Sequence, residues 1–516
     1  MKIPRSFNIF RHWKKFLPGL IILLVLFFFF GPSLIFNLWL NQDFAEGQFF
    51  SRMSASKGRI SPLFDEVTVS GLTLYHHEDY KTPLTIQEIR GTNLHKISLL
   101  KVIFGLAEER DFVRLLSDGD LVVRDFSYNN EFVFLKKLTI GAINLAGLDY
   151  EGDNALNLNN QIFKNLKILD FAVTSLNGET LNFDGLSLSD YRLGLLKNLT
   201  ISGLTYLDSQ KNGLSLGDLE GKDINFTTFT YTPQTGTAGS LQTLLKATKS
   251  LNIHNFQQFL WGESILSFVD LLHVHARPEA STLVASKITV KDLRAKLEDL
   301  WPQLNLTPVG RVFLASFQPE IQGNLTIDLV EPTRQNMGTV ALSLQSPQGI
   351  DLNFSLEFQN FWPLGLKSLD EVALKFLNSQ IGKGRFSLKG SDLSQIFYPP
   401  LATEFFDGQN PAEELPRYLA PLYEKWATGL LSNPQLIQEE LSLFFQNPQS
   451  LEIQIDPVKN FPRSSLEKAQ KMSAGSILTD PQNFVRALNY AIINDISLSF
   501  SINGRAYQTI TTIESF

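Results

Sequence analysis

Two of the chain's seven histidines, His273 and His275 in "LLHVHA", are spaced so that a β-strand would set both imidazoles on one face. Such a pair can chelate a transition metal, but the stretch offers no third ligand nearby, so a structural role is expected. His76, His77, Glu78 and Asp79 form a second polar group, expected at a solvated tip between two strands. "GKGRF", Gly382 to Phe386, is a lone Gly/basic pair ahead of a strand and reads as a turn, not a phosphate cradle. There is no GxSxG elbow, HExxH helix, P-loop or dinucleotide GxGxxG, and no two carboxylates stand out as a catalytic pair. With no cysteine in the chain, disulfides, thiolate metal sites and a cysteine nucleophile are excluded. The expectation is a protein that is not an enzyme, with no catalytic, cofactor-binding or metal residues.

What the sequence repeats is a structural word. "LTISGLTYLDSQKNGLSLGDLEGKDINF" (Leu199 to Phe226) and "VTVSGLTLYHHEDYKTPLTIQEIRGTNL" (Val67 to Leu94) are each 28 residues long and start 132 residues apart. In a strand, Leu199 and Ile201 share a face, whereas Leu204 and Tyr206 have the opposite parity. An extra residue absorbed as a bulge or bend at Ser202-Gly203 would reconcile them, and Gly bends most cheaply. Val67, Val69, Gly71, Leu72 and Leu74 repeat the arrangement.

The same word, apolar-x-apolar-x-small or acidic-apolar, recurs from Leu84, Leu121, Leu138, Leu166, Leu181, Leu214 and Ile288. Spacings of 15 to 18 residues suit one strand and its turn, and "EGDN" and "DSQKNG" punctuate the copies. If the bend turns both apolar pairs of a word inward, Val67, Val69, Leu72, Leu74, Leu199, Ile201, Leu204 and Tyr206 line one shielded groove. Thr68, Thr73, Thr200 and Thr205 then face outward.

The elements around this repeat are legible too. "FLPGLIILLVLFFFFGPSLIFNLWL", Phe16 to Leu40, holds no charge over 25 residues, and as a helix would span roughly 37 Å, enough for a bilayer core. Five basic residues and no acid precede it, which predicts a cytoplasmic N-terminus, a single-pass anchor and export of residues 41–516. A cleaved signal peptide is the alternative, but the apolar core is long for one, and Ala45-Glu46-Gly47 is the best cleavage site on offer.

Beyond residue 15, 40 Lys and Arg stand against 52 Asp and Glu, a net of −12. That sign argues against nucleic acid as a partner and leaves the membrane, lipid acyl chains and envelope proteins. At 43% hydrophobic residues the chain is far too apolar to be disordered.

The fold expected is mainly β with helical additions: a transmembrane helix, then a repetitive, bent antiparallel β-sheet shaped as a groove, then a mixed α+β C-terminal region. By residue, a basic stub (1–15) and the anchor (16–40) precede a repetitive β domain (41–239). A helical interlude (240–280), continuing sheet (281–360) and the mixed region (361–516) follow. The boundary is expected in "TPQTGTAGS", Thr232 to Ser240. Alternating strands at Leu352–Phe358, Leu451–Ile455 and Ile496–Gly504 accompany helices near Leu415–Leu431 and from Asp480.

A basic stub, one anchor and repeated "LTISGLTYLD…LSLGDLEG" words over roughly residues 10–300 resemble the AsmA-like family of bacterial envelope proteins. The resemblance implies an inner-membrane anchor, a long periplasmic β-sheet curled into an apolar trough, and a part in phospholipid movement and envelope integrity. This chain is short for a bridge between membranes, and its last 150 residues turn partly helical. The leading expectation is an exported β-groove that binds or shuttles lipid. Two alternatives remain open: a structural or assembly factor whose groove is closed by its own helices, and a β-solenoid acting on polysaccharide.

Overall fold

In the computed structural model, the residues described are 33–43, 50–76, 83–103, 106, 111, 114–128, 135–150, 161–228, 247–275, 285–296, 320–332, 337–359, 380–417, 439, 442–457 and 496–509, apart from positions 39, 348 and 392. They divide into two compact units that meet between Gln210 and Lys211. The division falls in the turn tract "DSQKNG", not in Thr232–Ser240, which lies outside the described residues.

The first unit holds β1 (Gln42–Asp43), β2 (Phe50–Ser54), β3 (Lys57–Ile60), β4 (Glu66–His76), β5 (Leu84–Thr92), β6 (Asp120–Tyr128), β7 (Leu135–Ala146), β8 (Asp149–Tyr150), β9 (Gln161–Ser175), β10 (Thr180–Arg192) and β11 (Leu195–Leu207). Every pairing is antiparallel. β2 and β3 lie end to end along β4, and β7 and β8 along β9, so the chain meanders from β1 to β11.

The second unit is a meander of eleven strands: β12 (Gly213–Asn225), β13 (Thr248–Leu260), β14 (Glu263–His275), β15 (Ser286–Ala295), β16 (Ile321–Val330), β17 (Gly338–Gln345), β18 (Ile350–Gln359), β19 (Gln380–Gly390), β20 (Ser450–Pro457), β21 (Ile496–Ile502) and β22 (Arg505–Thr509). Each pairs antiparallel with the next. Antiparallel hairpins replace the parallel coils that a β-solenoid would require, so the solenoid expectation is set aside.

The helical interlude is corrected as well, because residues 248–275 form the hairpin β13–β14. Leu251-Ile253-Asn255-Phe256 and Leu266-Phe268-Asp270-Leu271 are two more copies of the word. Trp261 (φ 54°) and Gly262 (φ 83°) make a two-residue turn with both φ values positive, the geometry that suits strand twist. Gly382–Phe386 is likewise strand, inside β19, where a turn was expected.

Helices are few among the described residues. Lys96–Ile103 packs Leu99 into the first unit's core, and Leu393–Phe405 packs Leu393 against Ile350 and Leu344 in the second. Residues 411–417 are helical, in keeping with the mixed character expected after residue 361, while 418–431 and the segment from Asp480 to residue 493 lie outside the described residues. Residues 16–32 of the expected anchor also lie outside them, and among the described residues no helix is long and apolar enough to cross a membrane.

In the two longest copies, at Val67 and Leu199, the repeat word is built by a backbone reversal, not by an inserted residue. Ser70 pairs with Glu88 and Leu72 with Ile86, so the register passes Gly71 without a shift, and the same holds from Gly185–Ser202 to Asn182–Thr205 around Gly203. The expected bulge is therefore absent at these two words, whereas in β15 the register against β16 does shift between Val290 and Leu293, a bulge at Asp292. The fifth position of the word takes a left-handed conformation: Gly71 (φ 60°), Asp125 (50°), Asp170 (51°) and Gly203 (64°) in the first unit, Asn255 (52°) and Asp292 (51°) in the second. Gly, Asn and Asp are the residues that enter this region most readily. These positions fall on alternate strands of each meander, so a fold line crosses each one, with no residue added at Gly71 and Gly203 and a bulge against β16 at Asp292. Asp190 in β10 and Asp223 in β12 use the device again.

Candidate functional site

The fold line brings both apolar pairs of a word onto one face. In β4, Val69 and Leu72 differ in parity yet are both buried in one cluster, against which Val67, Leu74, Ile86 and Ile89 also pack. Registers then carry the words across the sheet. Val67 pairs with Gly91, and the row continues through Leu121, Leu145, Leu166 and Leu188 to Leu199. A second row runs Val69, Ile89, Val123, Ile143, Ile168, Leu186, Ile201. A third runs Leu72, Ile86, Phe126, Ile140, Phe171, Phe183 and reaches Leu204 in the same register. The fourth joins Leu74 with Leu84, and Tyr128 through Leu138, Val173 and Leu181 with Tyr206.

The eight residues expected to line a groove are thus the first and last rungs of four apolar ladders. Cross-strand neighbours of this kind are the unit of sheet stabilisation, and Phe171 and Phe183 stack with ring centroids 4.6 Å apart. Between the ladders run polar rows: Thr68, Arg90, Val122, Asn144, Lys167, Ser187, Thr200, and Thr73, Thr85, Ser127, Thr139, Ala172, Asn182, Thr205. Cross-strand ion pairs tie this polar face, with Arg90 3.0 Å from Glu66 and Arg124 3.2 Å from Glu88. No Asp, Glu, Lys or Arg stands on the four ladders.

Burial grades along the ladders. At β4 the helix Lys96–Ile103, residues 33–38 and Leu40 cover the face, through Leu99, Phe36 and Leu40. From β6 to β11 the ladder residues are half-buried, and Tyr206 is 38% exposed, where a shielded position was expected. Thr200 faces solvent as expected, but Thr68, Thr73 and Thr205 are half-buried. Tyr128 buries its hydroxyl with no hydrogen-bond partner among the described residues, and burial raises its pKa.

The second unit continues the design. One row of apolar residues crosses ten strands: Leu219, Ile253, Leu271, Val290, Leu325, Leu344, Leu352, Leu388, Leu451 and Ile502. The helix Leu393–Phe405 lies on part of it, with Ile396 and Phe397 packed at Leu344 and its neighbours.

On the same face stand His273 and His275, each 1% exposed, with ring centroids 6.5 Å apart. His273 sits between Leu251 and Ile288, and its Nδ1 lies 3.5 Å from Thr248 Oγ1. Burial, then the neighbouring His275, push its pKa down to about 4, so the ring is neutral at ordinary pH. Among the described residues no three His, Asp or Glu side chains gather as a metal site would require. His76 ends β4, and residues 77–79 of the same polar group lie outside the described residues.

What sequence reasoning missed is the part taken by β13 and β14, whose words were legible at Leu251 and Leu266. Comparison with family models, with curated proteins and with solved structures found no match.

Proposed function

We propose that the chain is a single-pass, membrane-anchored protein of the bacterial envelope whose exported apolar sheet face binds or shuttles lipid. The observation that carries this reading is the set of four in-register apolar ladders that stay half-buried from β6 to β11. Apolar surface on this scale needs a cover, and an acyl chain gains roughly 0.8 kcal/mol for each buried methylene. The ladders run across the strands, so a chain laid along one meets apolar side chains at every step of about 4.8 Å. The resemblance to AsmA-like proteins points the same way, and with it the inner membrane and periplasm as the location.

A second reading, an assembly factor whose face is closed by its own helices, is favoured locally by Lys96–Ile103 and Leu393–Phe405, which lie on the ladders where they pack. Ile201→Glu separates the two. In an open face the carboxylate displaces acyl chains and admits water, so co-purified lipid falls while the circular dichroism of the sheet is kept. In a closed core the same change unfolds the domain, with no lipid to lose. A folded variant with undiminished lipid overturns the lipid reading.

A further inference from the structure

The last residues of the long apolar stretch are part of the first unit, not a tether to it. Residues 33–38 are helical and lie along the edge of β3. Ser33 Oγ donates to Ile60 O at 3.1 Å and accepts from Ile60 N at 3.0 Å. One turn on, Asn37 Nδ2 donates to Gly58 O at 2.6 Å, and its Oδ1 accepts from Gly58 N at 2.5 Å. Two side chains at i and i+4 thus satisfy a strand edge as a neighbouring strand would. Asn41 Oδ1 continues the row by accepting from Ala55 N at 3.1 Å. Phe36 and Leu40 enter the core beside them.

This docking fixes a direction. Ser33 meets Ile60, the last residue of β3, so the chain enters the unit at the end of the sheet where β3 turns into β4. Leu63 is in that turn and is 64% exposed. Ile97, 64% exposed, opens the helix that follows β5 at the same end, and Leu106, 71% exposed, follows that helix. Leu94 N donates to Asp65 O at 2.9 Å, which ties that helix's approach to the β3–β4 turn. Leu34 and Leu38, 63% and 69% exposed, extend the apolar surface along the docked helix. The 17 residues from Phe16 to Pro32 would span roughly 25 Å as a helix, short of the roughly 30 Å hydrocarbon core.

We infer that this end of the first unit is seated in the bilayer: Leu34, Leu38, Leu63, Ile97 and Leu106 form an apolar rim that inserts into the leaflet from which residues 33–40 emerge. The occupant is lipid because an uncharged stretch of chain leads directly into the rim. Lys96 is exposed beside Ile97, placed as an interfacial cation. Of the four ladders, the Val67–Leu199 row lies nearest this end, so the apolar face would begin close to the membrane. The inference rests on the anchor of the proposed function, not on lipid occupancy of the ladders.

The chain has no cysteine, so single-cysteine variants of the full-length protein can be labelled without background. Leu63→Cys, Ile97→Cys and Leu176→Cys would carry an environment-sensitive fluorophore in vesicles of phosphatidylethanolamine and phosphatidylglycerol. Leu176, 45% exposed, lies at the opposite end of the strands, in the β9–β10 turn. Labels at 63 and 97 should emit blue-shifted and lose most of their intensity to acyl-chain nitroxide lipids, while the label at 176 keeps its own. Equal, weak quenching at all three positions would overturn the seated rim. Quenching at 63 and 97 with lipid content unchanged in folded Ile201→Glu would retain the rim and reject the lipid-binding face.

Discussion

Asp184 stands across from Gly203 with its carboxylate in the space that a side chain at 203 would fill. The glycine of the repeat word is thus required twice, once by its left-handed backbone (φ 64°) and once by its neighbour. The same relation recurs at Gly141, whose missing Cβ leaves room for Asp170. Asp170 leans toward β7 and Asp184 toward β11, so two carboxylates on adjacent strands diverge.

Gly203→Val therefore meets both a steric clash and a strained φ, and should cost ~1–3 kcal/mol. Gly203→Asn should cost less, because Asn255 holds the equivalent left-handed position in β13. Ser202→Ala should change little. Thermal unfolding of the three variants checks the order. Equal midpoints for Val and Ala would count against the fold line.

Asn37→Leu removes both partners of Gly58's backbone at a half-buried edge. Leaving such groups unsatisfied costs about 1–3 kcal/mol each, moderated by any water that reaches them. Amide exchange at Gly58 should quicken and the unfolding midpoint of the first unit should fall. Unaltered exchange would mean that the helix merely rests on the strand.

Acid should weaken the second unit through His273. Its folded pKa, about 4, lies below the usual 6.5, so the folded state holds fewer protons. The stability tied to the neutral ring is fully present above pH 6.5 and is lost as pH falls from there through about 4. The shift amounts to about 3 kcal/mol at most. His273→Leu should flatten this part of the pH–stability curve measured by denaturant titration between about pH 7 and about pH 4. A variant with the same acid slope as the parent would place the titrating group elsewhere.

Much of this architecture can be read from the residues. The word at Val67 and Leu199 announced strands that reverse their parity, because two apolar pairs of opposite parity can face one core only across a local reversal. That both apolar pairs of a word share one face was legible for the same reason, although Tyr206 projects further into solvent than its neighbours. The mechanism of reversal was not legible, since an inserted residue and a left-handed one leave the same trace in a single strand. Only the register between strands tells them apart. β13 was hidden by Asn255, which is neither small nor acidic at the fifth position of its word, whereas β14 fits the word through Asp270 and was overlooked, and Trp261-Gly262 is an unusual pair for a tight turn. The docking of Ser33 and Asn37 on β3 had no sequence signal beyond two polar residues in an apolar stretch.

Photocrosslinking with a phospholipid that carries a diazirine on its acyl chain tests the central claim most directly. After irradiation of the full-length protein in vesicles, adducts mapped by peptide mass spectrometry should fall on ladder residues of β9, β10 and β11, such as Ile168, Phe183 and Ile201. Lys167, Ser187 and Thr200, on the polar row between the first two ladders, should remain unmodified. Adducts confined to residues 16–40, with none on the ladders, would contradict a lipid-binding sheet face.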